Sequence, residues 1–235
     1  MRQQLKLLTM SDIHAEQVRW LWEPYLPRGK ITIIQGDPGD GKTTFVLALA
    51  ALLTQGLPMP GGSAAAPPMN VIYQTAEDGL ADTIRPRLDV LGADCSRVLV
   101  IDESERELTL DDQRLAQAIR QTGAGLAVLD PIQAYLGNNV DMHRANEVRP
   151  IFKRLGQLAE QTGCAIVLVG HMNKMQGAKS AYRGLGSIDF RAAARSVLLV
   201  GHSKDDDDLR VVVHDKSSLA PEGPAILFSL DSDLG

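Results

Sequence analysis

Cysteine is scarce in this chain: Cys95 and Cys164 are the only two in 235 residues, too few for a disulfide framework. No uninterrupted apolar run approaches the roughly 20 residues that a membrane-spanning helix needs. The opening MRQQLKLLTMSD has neither a secretory h-region nor a small-residue cleavage site. A soluble, cytoplasmic protein with no membrane partner is therefore expected. Positive charge is not in excess either. The 24 Lys and Arg face 29 Asp and Glu, a formal net charge of -5, which argues against a protein that coats DNA with a broadly basic surface. There is no internal repeat and no heptad pattern.

What remains is ordinary globular material. Charged residues make up 23% of the chain and hydrophobic ones 44%, close to the usual composition of folded domains. The length suits one large α/β domain better than two small ones. A chain of this size buries about 70% or more of its unfolded surface without help from metal or disulfide.

Short apolar runs alternate with amphipathic stretches. Strands are expected at 31–34, 71–75, 98–101, 126–129 and 165–169. Helices are expected between them at 42–53, 80–91 (kinked or restarted at Pro86), 110–119 and 145–160. That alternation means βαβ units, and so a mainly parallel sheet with helices on both faces. The style then changes: 196–200, 209–214 and 225–230 read as strands with short turns, an antiparallel extension of the sheet. The acidic run 205–208 reads as a solvated hairpin tip.

The strongest signal is Gly36-Asp37-Pro38-Gly39-Asp40-Gly41-Lys42-Thr43, which matches G-x-x-x-x-G-K-[ST] between an apolar strand and a helix. Glycines let successive backbone N–H groups point at phosphate oxygens, and the helix N-terminus adds its positive dipole end. Lys42 brings a mobile charge to the β- and γ-phosphates, Thr43 is placed to ligate Mg²⁺, and Thr44 completes the nucleotide-binding stretch. ATP and Mg²⁺ are the ligands this implies. Asp130 ends an apolar strand where a Walker B carboxylate belongs, or else is a turn residue before Pro131. Glu77 follows the 71–75 strand at the sheet edge where ligands sit. It is placed to accept a proton from the lytic water or to hold that water in line, or else it supplies helix N-terminal charge, a role that suits Asp78 better. His171 ends another strand at the same edge and is a candidate γ-phosphate sensor.

With these residues in place, the chain resembles the RecA-type ATPases, and more narrowly the plasmid- and phage-encoded RepA-like hexameric replicative helicases. Beside the P-loop, the carriers are the approach 24–30, Thr75-Ala76-Glu77-Asp78, Leu129-Asp130-Pro131, Gly170-His171-Met172-Asn173-Lys174, Gly186-Ser187 and Arg195. The resemblance implies a RecA-like P-loop NTPase core over 20–235, preceded by an N-terminal arm over 1–19. It implies catalytic Glu77, Walker B Asp130 and sensor His171. It implies Arg195 as an arginine finger into the neighbouring subunit's site, with Arg191 and Lys216 as rivals. Arg87 lies where such proteins can stack an arginine on adenine, or else is a solvated helix residue. The partners implied are further copies of the chain, in a hexameric ring with sites at subunit interfaces, and single-stranded DNA. Between Met172 and Gly186 the basic residues Lys174, Lys179 and Arg183 occur with no acidic residue, as in a loop that grips a strand by its phosphates, or else in a disordered linker over the active site.

The expected function is Mg²⁺-dependent ATP hydrolysis in a ring-forming motor on DNA. The alternative is an ATP-dependent switch that regulates a protein partner without helicase activity. Neither a primase nor a zinc ribbon nor a basic tail is evident, which weighs toward the plain ATPase. A small-molecule kinase would want an arginine-rich lid, and no such cluster follows the Lys42 helix.

Overall fold

The computed structural model describes residues 6–62, 65–137, 140–142, 144–172, 188–204, 206 and 208–230. A small antiparallel hairpin, β1 (Trp20–Trp22) and β2 (Leu26–Pro27), precedes the main sheet. The sheet is built from β3 (Ile31–Gly36), β4 (Val71–Thr75), β5 (Val98–Leu99), β6 (Leu126–Asp130), β7 (Ala165–His171), β8 (Ser196–His202), β9 (Leu209–Ser217) and β10 (Ile226–Ser229). Their spatial order is β10-β9-β8-β3-β7-β6-β4-β5. From β8 to β5 every pairing is parallel, and β9 and β10 add on antiparallel at the β8 edge. The expected parallel sheet with an antiparallel extension is therefore what forms.

Side chains alternate across the sheet, as the two-residue strand period requires. Ile33, Ala127, Leu129, Ile166 and Leu168 face one side. There they meet α3 (Gln113–Thr122), α4 (Ala145–Thr162) and α5 (Ile188–Ala193) through Leu115, Ile119, Ile151, Phe152 and Phe190. Ile34, Tyr73, Val128, Val167 and Leu198 face the other. That side is covered by α1 (Lys42–Gln55) and α2 (Arg85–Val90) through Phe45, Val46, Leu49 and Leu88. A run of rings ties the outer layer to α1. Phe228 of β10 lies 5.2 Å from Phe45 of α1, Phe45 lies 6.1 Å from Trp22, and Trp22 lies 4.3 Å from Tyr25. Tyr25 in turn stacks on His214 of β9 at 5.3 Å.

Several elements end two or three residues beyond the sequence expectation, β9 at Ser217 among them, and three stretches have local features that set their bounds. Helix α3 begins at Gln113 rather than Leu110 because Asp112 caps it, accepting the Arg114 N–H at 2.9 Å. Leu108 and Leu110 are buried as loop residues, and the Leu110 N–H is spent on the Tyr135 carbonyl. Strand β5 stops at Leu99 because the Gln74 side chain takes over from the ladder, its Oε1 accepting the Ile101 N–H at 2.6 Å. The 80–91 stretch opens as a wide π turn over Leu80–Ile84 and becomes α-helical from Arg85, with Pro86 in the first turn. There a missing N–H costs nothing. No helix among the described residues is long and apolar enough to cross a membrane.

Candidate nucleotide site

The phosphate loop runs from the end of β3 to the start of α1. Gly39 and Gly41 have φ of 87° and 84°, the left-handed region that favours glycine. At Gly36 the constraint is space: a Cβ there would collide with the Val200 carbonyl of β8 and lie 2.8 Å from Asp40 Oδ2. Asp40, buried within the loop, folds its carboxylate back so that Oδ2 accepts the Asp37 N–H at 2.6 Å. Its other oxygen lies 3.6 Å from His202 Nε2. Burial pushes the Asp40 carboxyl up, and the Asp37 N–H and nearby Lys42 oppose that. The Lys42 ammonium donates to the Asp37 carbonyl at 2.7 Å. Desolvation pushes Lys42 down, while Asp40, Asp130, Asp37 and Glu77 favour its charged form.

Lys42 and Thr43 open onto a cleft of about 710 Å³ at the carboxyl ends of the parallel strands, where open α/β sheets bind their ligands. Glu77, Asp130 and His171 line the same cleft, as do Pro38, Gly39, Gly41 and Thr44. Gly36, Asp37 and Asp40 hold the loop from behind. The Thr43 hydroxyl donates to Asp130 Oδ2 at 2.7 Å, and the Tyr73 hydroxyl donates to the same oxygen at 2.9 Å. Asp130 is buried, so desolvation pushes its carboxyl up, and these two hydroxyls offset part of that cost. Across the cleft His171 Nε2 lies 3.4 Å from Glu77 Oε2. The Asp78 N–H donates to Thr75 Oγ1 at 3.2 Å, and Asp78 lies 3.8 Å from the Arg87 guanidinium. The far end of the cleft is more apolar, walled by Val90, Leu91 and Leu230 beside Arg87.

Oxygen donors such as the Thr43 hydroxyl and Asp130 carboxylate suit a hard cation. Thr43 spends its single proton on Asp130, which leaves its lone pairs available. No cluster of three or more His, Cys, Asp or Glu able to cage a metal exists among the described residues. The Thr43 hydroxyl beside the Asp130 carboxylate is a donor set that fits Mg²⁺ held mainly by phosphates and water.

Arg195 is not in this cleft. Its N–H donates to the Ile31 carbonyl, at the start of β3, whereas Lys42 follows the end of that strand. Six residues of strand separate the two edges by about 17 Å. Arg191 and Lys216 share the Arg195 edge but are engaged within the chain. Arg191 forms an ion pair with Asp215 and donates to the Asp215 carbonyl at 2.8 Å. Lys216 donates to the carbonyls of Arg191 and Ala194, both at 2.7 Å, at the end of α5. Burial and the neighbouring Arg191 and Arg195 push the Lys216 amine down. The Arg195 side chain is exposed. Lys174, Lys179 and Arg183 lie outside the described residues.

Neither Tyr73 nor the apolar end of the cleft beyond Arg87 is marked by a motif in the sequence. Tyr73 carries a signal in retrospect, since a tyrosine inside an apolar strand needs a partner for its hydroxyl. Nothing local marks Val90, Leu91 or Leu230, which distant parts of the chain bring together.

Comparison with known proteins agrees with this architecture. Residues 2–177 match the model of an AAA domain family, AAA_25. The chain is 30% identical to the DNA repair protein RadA of Halalkalibacterium halodurans over 152 residues, 64% of this chain and 29% of that protein. It is 28% identical to RadA of Bacillus subtilis over 149 residues, 63% of this chain and again 29% of the relative. The chain thus spans less than a third of the length of these relatives. Among solved structures, the ATPase domain of another protein superposes with a TM-score of 0.67 at 13% identity, covering 88% of this chain and 84% of that one. A KaiC-like protein of Pyrococcus horikoshii superposes with a TM-score of 0.64 at 16% identity, covering 91% and 96%. The fold is therefore RecA-like, and with its phosphate loop inside the matched residues the chain belongs to the AAA domain family of P-loop ATPases.

Proposed function

We propose that this chain is a Mg²⁺-dependent ATPase that works in a ring of its own copies, with hexameric closure, and couples hydrolysis to movement along or unwinding of DNA. The observation that carries the ATPase reading is the convergence of Lys42, Thr43, Glu77, Asp130 and His171 on one cleft. In this reading the loop N–H groups and Lys42 bind the β- and γ-phosphates. The Lys42 amine exchanges the Asp37 carbonyl it now holds for phosphate oxygens. Thr43 and Asp130 hold Mg²⁺, which when bound neutralises charge on the phosphate oxygens. Glu77 takes the proton of the attacking water or orients it, and His171, 3.4 Å from Glu77, reports on the γ-phosphate. Arg87 stacks on the base against the wall made by Val90, Leu91 and Leu230.

The trans element of the proposal rests on the two edges of the sheet. Arg195 is exposed about 17 Å from the edge that carries Lys42, so it would serve a neighbour's site rather than its own. Arg191 and Lys216 are the weaker candidates because both are held within their own chain. An arginine supplied in this way is worth roughly 10³–10⁵ in rate. The RadA relatives are DNA repair proteins, which supports DNA as the partner, and in this reading Lys174, Lys179 and Arg183 are the basic residues that meet its phosphates.

The test is the ATPase rate per subunit against protein concentration, with and without single-stranded DNA, at low and physiological salt. A rate that rises with concentration and again with DNA supports the motor. Concentration dependence with no DNA response moves the reading to the nucleotide-driven switch. The Lys42→Ala variant is expected to lose hydrolysis altogether, and undiminished turnover in it overturns the ATPase reading.

A further inference from the structure

Tyr73 sits in the middle of β4 and is fully buried. A phenylalanine would fill almost the same volume and bring no polar group to be satisfied. The phenol instead donates to Asp130 Oδ2 at 2.9 Å, the oxygen that also accepts the Thr43 hydroxyl at 2.7 Å. Two donors from different elements thus meet on one carboxylate oxygen: Tyr73 from β4 and Thr43 from α1, on Asp130 at the end of β6. The consequence is directional. Asp130 Oδ2 is pinned by the phenol, which is itself locked in the core. Thr43 must then point its proton at that fixed oxygen, so its hydroxyl rotor has one setting and its lone pairs are turned away from Asp130.

We infer that Tyr73 is a positioning residue for Mg²⁺, acting through Asp130 to fix the orientation of the Thr43 hydroxyl that ligates the ion. Tyr73 does not touch the metal or the nucleotide, because it lines no part of the cleft. Its place is that of the outer partners that orient metal ligands elsewhere, whose removal typically costs 10–100-fold in metal affinity. The inference rests on the Mg²⁺-ATPase reading of the cleft and adds to it a residue that no phosphate-loop pattern contains. A purely structural role is the competing account, since a buried carboxylate needs donors whatever it does.

Tyr73→Phe removes one oxygen atom and separates the two. The measurement is equilibrium binding of a non-hydrolysable ATP analogue by calorimetry, without Mg²⁺ and then over a series of free Mg²⁺ concentrations. Analogue affinity without Mg²⁺ is expected to stay within about twofold of the parent. The half-saturating Mg²⁺ concentration is expected to rise at least about tenfold. In an Asp130→Asn background the same change is expected to add little, because the phenol acts through that carboxylate. A Tyr73→Phe protein with a lowered melting temperature but the parent's Mg²⁺ dependence overturns the inference and leaves Tyr73 a core residue. So does an undiminished Tyr73→Phe effect in the Asp130→Asn background. Failure of the underlying reading looks different, since hydrolysis would then survive Lys42→Ala.

Discussion

Replacing Gly36 by alanine tests how the phosphate loop is seated. Gly36 is the last residue of β3 and is flanked by β7 on one side and β8 on the other. The new methyl group would run into the Val200 carbonyl of β8, with the carbonyl carbon at 3.2 Å and Asp40 Oδ2 at 2.8 Å. A strand backbone cannot rotate out of the way, so β8 must shift, at the roughly 1–3 kcal/mol typical of overpacking. Asp40 can move, but only by releasing the half-buried Asp37 N–H that it accepts at 2.6 Å, and losing that bond costs about 1 kcal/mol. The two responses together come to about 2–4 kcal/mol. At roughly 2–4 °C per kcal/mol for a chain of this size, the midpoint should fall by at least about 4 °C, and by about 9 °C at the middle of the range.

Gly39→Ala is the matched control. Nothing lies within 4 Å of a Cβ at Gly39, although its φ is 87°, so the cost is only the roughly 1–2 kcal/mol of a left-handed alanine. Thermal melts followed by circular dichroism without nucleotide compare the two. A Gly36→Ala protein that melts within about 2 °C of the parent, or a Gly39→Ala protein that loses as much as Gly36→Ala, would refute the steric argument.

Two further outcomes are expected. Arg195→Ala should leave nucleotide affinity within about twofold while turnover drops by at least about 10²; mixing it with Lys42→Ala should then restore turnover above the sum of the two proteins alone, and a strictly additive mixture would exclude a shared site. At the α3 cap, the Arg114 side chain first, with the Arg114 N–H and the Arg106 guanidinium, holds the Asp112 carboxyl well below the ordinary carboxylate range. A depressed carboxyl stabilises the fold fully above its unfolded value of about 4 and less as pH falls below that. Asp112→Ala should therefore melt about 2–4 °C below the parent at pH 7, from the loss of about 1 kcal/mol of capping. That gap should narrow below pH 4, and a constant gap down to pH 2 would show that charge plays no part at this cap.

The sheet was legible because burial on both faces writes itself as uninterrupted apolar strands. Ile31–Ile34, Leu126–Leu129 and Ala165–Val169 could hardly be anything else once Gly36 and Lys42 marked where the first of them turns. Glu77, Asp130 and His171 were legible for a related reason: in a parallel sheet, residues just past the strand ends share an edge, so chain position alone predicts that they meet. Tyr73 escaped because its role depends on a partner 57 residues away across a strand pair. Leu230 escaped for the same reason, standing against Gly41 from the far end of the chain. The start of α3 was misread because Leu108 and Leu110 continue a helical apolar pattern while being buried from a loop.

The rings of Phe228, Phe45, Trp22, Tyr25 and His214 form one run that starts on β10 and ends on β9, which are hydrogen-bonded neighbours. Helix α1 supplies Phe45 to that run, and its first two residues are Lys42 and Thr43. None of the five rings touches the cleft, yet α1 cannot loosen without parting Phe45 from either Trp22 or Phe228. The hairpin β1–β2, α1 and the β9–β10 pair therefore constitute one cooperative unit for opening. Amide exchange in α1 should share its rate with exchange in the hairpin and in β10, which ties the opening of the helix that carries Lys42 and Thr43 to rings that line no part of the cleft.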